Sequence, residues 1–158
     1  MTRPSTLAMA LGGLSLALIV GVLGFQYLGG IPPCEMCHWQ RWPHIAAAVI
    51  GLGGGLLIRA GLVEESLGRT LAWMSVLLIA TSGGLGVYHA GVEWHWWPGP
   101  TACTTGFQYN GGPLDLNAPV PHCDIPAWTL LGISLAGFNA LFSLAAAAFG
   151  AFHLLRKS

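Results

Sequence analysis

Leu7–Leu28 reads LAMALGGLSLALIVGVLGFQYL and holds no charged side chain. A helix of roughly 20 apolar residues crosses about 30 Å of hydrocarbon, so this stretch is long enough to be a membrane span. Three further uncharged or nearly uncharged stretches follow, and spans are expected at about 7–28, 42–59, 70–90 and 125–155. The second is short. It must borrow residues at its Cys37 end or let Arg59 snorkel to the interface. The first differs from a secretory leader: its apolar run is about twice the usual length, and Gly29–Pro33 offers no small-x-small cleavage site, so retention is expected.

Composition agrees with this reading. The chain has 158 residues, 54% of them hydrophobic and 8% charged, with a formal net charge of zero. A soluble domain carries about 25% charged residues. The neutral balance gives nucleic acid no electrostatic footprint. No repeat, low-complexity tail or soluble module interrupts the pattern. The expectation is one integral membrane domain over 1–158, an all-α antiparallel four-helix transmembrane bundle with two non-cytoplasmic cysteine-bearing loops.

Basic residues accumulate on the cytoplasmic side of membrane proteins. Arg3, Arg59, Arg69, Arg156 and Lys157 all fall on one side under alternate crossing, and Arg41 is the exception. Both termini are therefore predicted inside, with Gly29–Arg41 and Glu93–Asp124 outside. Trp39, Trp42, Trp94, Trp96, Trp97 and Trp128 cluster at the outer interface, and Trp73 sits at the inner one. They read as an interfacial belt, with one or two also lining a ligand cleft. Gly51-x-x-x-Gly55, Ala80-x-x-x-Gly84 and Gly132-x-x-x-Ala136 have the small-residue spacing of close helix packing. The long outer connection carries Pro98, Pro100, Pro113, Pro119 and Pro121, which favour irregular backbone, and Leu114 and Leu116 could rest it on the bilayer.

The four cysteines fall in the two outer segments. Cys34 and Cys37 form a close pair in Pro32-Pro33-Cys34-Glu35-Met36-Cys37, which reads as a loop entering a helix. Residues three apart share a helix face, and the free N–H groups of a first turn stabilise a thiolate. Arg41, one turn further on, would reinforce that if the helix is continuous. Pro43 leaves two options, a kink or the true helix start. A Cys-x-x-Cys disulfide closes a very small loop, gains little from loop closure and tends to be redox-active. Two other readings are open. The pair could be half of a zinc site, although adjacent His122 and Cys123 make a poor second half. Cys34-Glu35-Met36-Cys37-His38 also has the spacing of c-type haem attachment, which would make the protein a membrane-anchored electron carrier. The wide pair, Cys103 and Cys123, could be a static staple worth about 3 kcal/mol or a disulfide within reach of a partner thiol. A non-catalytic scaffold stapled by two disulfides is a third class.

At these residues the chain resembles the DsbB family of disulfide bond formation proteins. The resemblance is carried by Pro33-Cys34-x-x-Cys37-x-x-Gln40-Arg41, Tyr88-His89, Pro98-Gly99-Pro100-x-x-Cys103, Cys123-Asp124, Trp128-x-x-x-Gly132-x-Ser134 and Asn139. It covers nearly the whole chain. The vitamin K epoxide reductase family has its close pair near the end of the bundle, and the order here is the reverse. The resemblance implies a thiol:quinone oxidoreductase of the bacterial inner membrane. Such an enzyme reoxidises a periplasmic thioredoxin-fold dithiol oxidase of the DsbA type and passes the electrons to ubiquinone or menaquinone. It implies that Cys103 forms the mixed disulfide with that partner, that Cys123 attacks Cys34, and that Cys37 leaves as a thiolate facing the quinone. Arg41 would stabilise the developing negative charge, and His89 would line the same pocket. His38 departs from the apolar residue expected after the close pair. No role is expected for His95 or Glu93.

Overall fold

The computed structural model describes residues 3–104 and 122–156. Pro113, Pro119, Pro121, Leu114, Leu116 and Lys157, singled out above, lie outside these residues.

Helix α1 runs from Pro4 to Tyr27, with proline in its first turn where no N–H is needed. Helix α2, Glu35–Ala48, passes through a π-helical turn at Val49–Gly53 into α3, Gly54–Arg59. Glu35–Arg59 is thus one helical rod, and it starts well before Trp42. Pro43 lies inside α2 and does not start it. The real start is set by Cys34, whose sulfur accepts the Cys37 backbone N–H at 3.2 Å and caps the first turn. A short 3₁₀ turn, Glu65–Leu67, leads into α4, Gly68–Glu93. The small helix α5, Thr101–Thr104, carries Cys103, and α6 spans Leu135–Leu155. Among the described residues, four helical segments are long and apolar enough to cross a membrane.

The segment expected to begin the last span at 125 is not helical. Strands β1, Thr129–Leu130, and β2, Ile133–Ser134, pair antiparallel there. Leu131 and Gly132 turn the hairpin, both with positive φ (53° and 79°). A two-residue hairpin turn with φ > 0 at both positions is the tight form that matches strand twist. Ser134 then caps α6, accepting the Gly137 N–H at 3.1 Å. Pro126, the turn glycine and this cap together hold the helix start back to 135.

Helix α4 is the hub: it packs on α1, α2 and α6, whereas α1 and α6 barely meet. Leu7, Ala8 and Leu11 of α1, Ala47 of α2, Ala72, Val76 and Ile79 of α4, and Ala147 and Leu154 of α6 form the apolar core. At the Glu65 end, the Ser5 hydroxyl donates to the Glu65 carboxylate at 2.8 Å and ties α1 to the loop before α4. Large apolar side chains such as Val20, Leu57, Leu77, Leu141 and Phe149 face outward. Serine, histidine and glutamine are buried instead, as expected where the surrounding solvent is lipid.

Only the first of the three small-residue motifs packs as expected. A Cβ on Gly51 would run into the Ala8 carbonyl, and one on Gly12 would sit 2.6 Å from the Leu52 nitrogen, so α1 and the π turn touch backbone to backbone. Gly84 faces open space, and Gly83 and Gly86 make the α4–α6 contact in its place. Gly132 belongs to the hairpin turn. Gly51→Val is therefore expected to cost about 1–3 kcal/mol by overpacking, read as a lowered thermal midpoint in detergent. Gly84→Val should change stability by less than about 0.5 kcal/mol.

Candidate functional site

Four described segments converge at the Cys34 end of the bundle: the start of α2, the end of α4, helix α5, and residues 122–134 with the hairpin. They bring Cys34, Cys103 and Cys123 into one buried cluster with Met36 and Val92, and Cys37 packs against it half-buried. Cys103 and Cys123 are joined in a disulfide, with Cα atoms 5.5 Å apart. Cys34 and Cys37 are free thiols with their sulfurs 2.7 Å apart. Cys34 Sγ, Cys123 Sγ and a ring nitrogen of His89 all lie within 4.8 Å of one another. The hydrogen bond with Cys37, together with burial, pushes the Cys34 thiol well above its ordinary range. It remains protonated at neutral pH.

His89 Nε2 is 3.6 Å from Cys34 Sγ. Its other nitrogen is fixed by Gln40. The Gln40 amide nitrogen donates to the Met36 carbonyl (3.1 Å) and to His89 Nδ1 (2.8 Å). The Gln40 amide oxygen accepts from Asn139 Nδ2 at 2.8 Å. These bonds settle which end of the amide is which. His89 Nδ1 is therefore an acceptor, and the ring proton sits on Nε2, facing the sulfurs. The network continues inward. Asn139 Nδ2 also donates to the Ser82 carbonyl (3.1 Å), and Asn139 Oδ1 accepts from His44 Nε2 (3.0 Å). His44 Nδ1 accepts from the Ser15 hydroxyl at 3.1 Å. Polar side chains buried between apolar helices are costly unless every partner is present, and this network supplies them.

Glu93 closes the site on α4. Its side chain is 6% exposed. One oxygen lies 3.8 Å from His89 Nε2, and the other accepts a hydrogen bond from the Ser134 hydroxyl.

A cavity of about 680 Å³ opens beside the sulfurs, within the size range of small-molecule sites. Its apolar walls include Val22 and Phe25 of α1, Trp128, and Phe138 and Phe142 of α6. Trp128 packs between Phe25 and Phe138, with ring centroids 5.1 and 6.2 Å away, so this tryptophan lines the cleft. Cys34, Cys37, Arg41, His89 and Glu93 face the same space. Arg41 lies half-buried, and its guanidinium donates to Gln26 Oε1 of α1 at 2.7 Å. All the residues singled out from sequence, Cys34, Cys37, Cys103, Cys123, Arg41 and His89, thus lie at this end of the bundle. Sequence reasoning missed Glu93, His44 and Ser82. The available signal was polarity inside an apolar span.

Metal and haem chemistry fit these residues poorly. A histidine that ligates through Nε2 needs that nitrogen bare and normally donates from Nδ1 to an acceptor. Here Gln40 gives Nδ1 a donor and leaves the proton on Nε2. For haem, Cys34 is buried against Cys123 and His89, while the expected ligand His38 is exposed.

The family model described as "Disulfide bond formation protein DsbB" matches residues 4–153. Relatives named disulfide bond formation protein B match this chain along most of their length. That of Aromatoleum aromaticum is 29% identical over 167 residues, covering 97% of this chain and 95% of its own. That of an Azoarcus species is 32% identical over 146 residues, covering 88% and 84%. That of Albidiferax ferrireducens is 31% identical over 134 residues, covering 76% and 72%. No solved structure matches the chain.

Proposed function

The chain belongs to the DsbB family of disulfide bond formation proteins, and on that premise we propose that it is a thiol:quinone oxidoreductase of the bacterial inner membrane. It oxidises a reduced thioredoxin-fold dithiol oxidase of the DsbA type in the periplasm. Both termini lie in the cytoplasm and all four cysteines on the periplasmic side. The single domain, 1–158, carries the whole relay. The observation that supports this reading most is the arrangement of sulfurs: Cys123 lies within 4.8 Å of Cys34, Cys34 touches Cys37, and Cys37 opens onto an apolar cavity beside a guanidinium.

Each residue has a defined task. Cys103 takes the attack of the partner's thiolate, and the bond to Cys123 breaks. The Cys123 thiolate attacks Cys34 in an oxidised Cys34–Cys37 pair, and Cys37 leaves as a thiolate. It leaves at the first turn of α2, where the helix N-terminus favours negative charge. Arg41 adds a fixed cation facing the same cavity. A ubiquinone or menaquinone bound there would supply the acceptor for two electrons and two protons. The aromatic and aliphatic walls suit its ring, and the charged and thiol groups at one end suit its oxygens.

Mixing the purified protein with a reduced thioredoxin-fold oxidase and a soluble quinone tests the proposal. Quinone absorbance should fall in step with partner disulfide, one quinone per disulfide. No absorbance change with a competent partner would overturn it.

A further inference from the structure

Sulfur exchange within the relay requires a proton to leave or reach Cys34. The state described here makes this explicit, because Cys34 is a thiol and the neighbouring Cys103–Cys123 disulfide is intact. For Cys34 to attack Cys123, its proton must go elsewhere. In the reverse direction, Cys34 leaves from Cys123 and must be reprotonated.

His89 is the nearest ionisable ring, but it is held as a donor. Its Nδ1 accepts from Gln40, whose amide is locked at both ends, and its Nε2 carries the proton. It can stabilise a Cys34 thiolate; it cannot take a second proton without breaking the Gln40 bond. Around it stand Cys34 and Cys37 at the start of α2, Arg41 one turn on, Glu93 on α4, and His122 and Asp124 before the hairpin. Asp124 is 3.8 Å from His122. Glu93 is the carboxylate that faces the cavity with Cys34 and lies against His89 Nε2. Ser134 holds one of its oxygens and leaves the other directed toward the histidine.

We propose that Glu93 is the proton acceptor and donor for Cys34 during exchange with Cys123, with His89 as a fixed N–H donor to the thiolate. In one direction the Cys34 S–H proton passes to the Glu93 carboxylate, directly or through one water. A Cys34–Cys123 bond forms, the Cys103–Cys123 bond breaks, and Cys103 leaves as a thiolate. The reverse step returns the proton to Cys34. No electrons leave the protein in either direction. This inference rests on the sulfur relay proposed above.

The test needs no quinone. Full-length protein, stripped of quinone and oxidised in both pairs, is mixed anaerobically with dithiothreitol. Samples are quenched by alkylation, and mass spectrometry follows the passage of reduction from Cys103–Cys123 to Cys34–Cys37. Glu93→Gln keeps the shape and the Ser134 contact. It should slow that passage by about 100-fold, the lower range for a lost acid–base group, and flatten its pH dependence. Direct reduction of Cys103–Cys123 should be unchanged, which reports an intact fold. Alkylation of the free Cys34 thiol should not slow, because removing a nearby anion favours its thiolate. Glu93→Asp should keep the pH dependence.

Passage at the wild-type rate and pH profile in Glu93→Gln would overturn the proposal. So would slowing of exchange and alkylation alike, which marks a structural change, or loss of the pH dependence in Glu93→Asp. A wild-type protein that reduces Cys103–Cys123 but never passes reduction to Cys34–Cys37 would instead refute the relay itself.

Discussion

Cys37→Ala is expected to bring quinone reduction to background while the bundle stays folded. With Cys37 gone, Cys34 has no sulfur to displace, and the relay stops at the Cys34–Cys123 mixed disulfide or before it. Neither Cys103 nor Cys123 lines the cavity, so neither takes the place of Cys37 beside the quinone once the partner has opened their bond. Folding should survive. Cys37 is only half-buried, and the cap of α2 uses its backbone N–H together with the Cys34 sulfur. The measurement is quinone absorbance with a reduced oxidase, alongside a thermal melt in detergent. Full turnover in this variant would refute the assigned electron route.

Arg41→Gln is expected to lower kcat/KM for quinone by about 100-fold, the scale seen when one donor to a developing anion is removed. The reaction of Cys103 with a reduced partner should proceed at the wild-type rate, because Arg41 is absent from the buried cysteine cluster. The loss of the Gln26 contact removes one half-buried hydrogen bond to a neutral amide, which contributes on the order of 1 kcal/mol to stability. Steady-state titration of quinone and partner separately distinguishes the two effects. Unchanged quinone kinetics would remove Arg41 from the proposed role.

The four apolar rods were legible because lipid imposes a length requirement that Leu7–Leu28 and its counterparts meet. The cysteine order was legible too, since each cysteine lies in a polar interval between such rods. What the linear pattern hid was local. Pro43 resembles a helix boundary, yet the chain is already helical from Glu35 because a cysteine sulfur serves as the cap. Ile125–Ser134 is apolar enough to read as span, but a turn at Leu131–Gly132 folds it into a hairpin. The buried polar network joins Gln40, Ser82, His89 and Asn139 across three helices, with no two of these adjacent in sequence. Glu93 looked like an interfacial carboxylate because its position at the end of a span says nothing about Ser134, which is 41 residues away.

The sparse contact between α1 and α6 has a practical consequence. The cavity takes walls from both helices, so on that flank its enclosure is completed by whatever amphiphile surrounds the bundle. Purification is then not neutral toward the chemistry. A detergent with a short, slim tail could lodge in the seam and compete as an inhibitor, whereas nanodiscs would restore the missing side. Kinetic constants gathered in micelles should therefore vary with surfactant identity, even at equal protein stability.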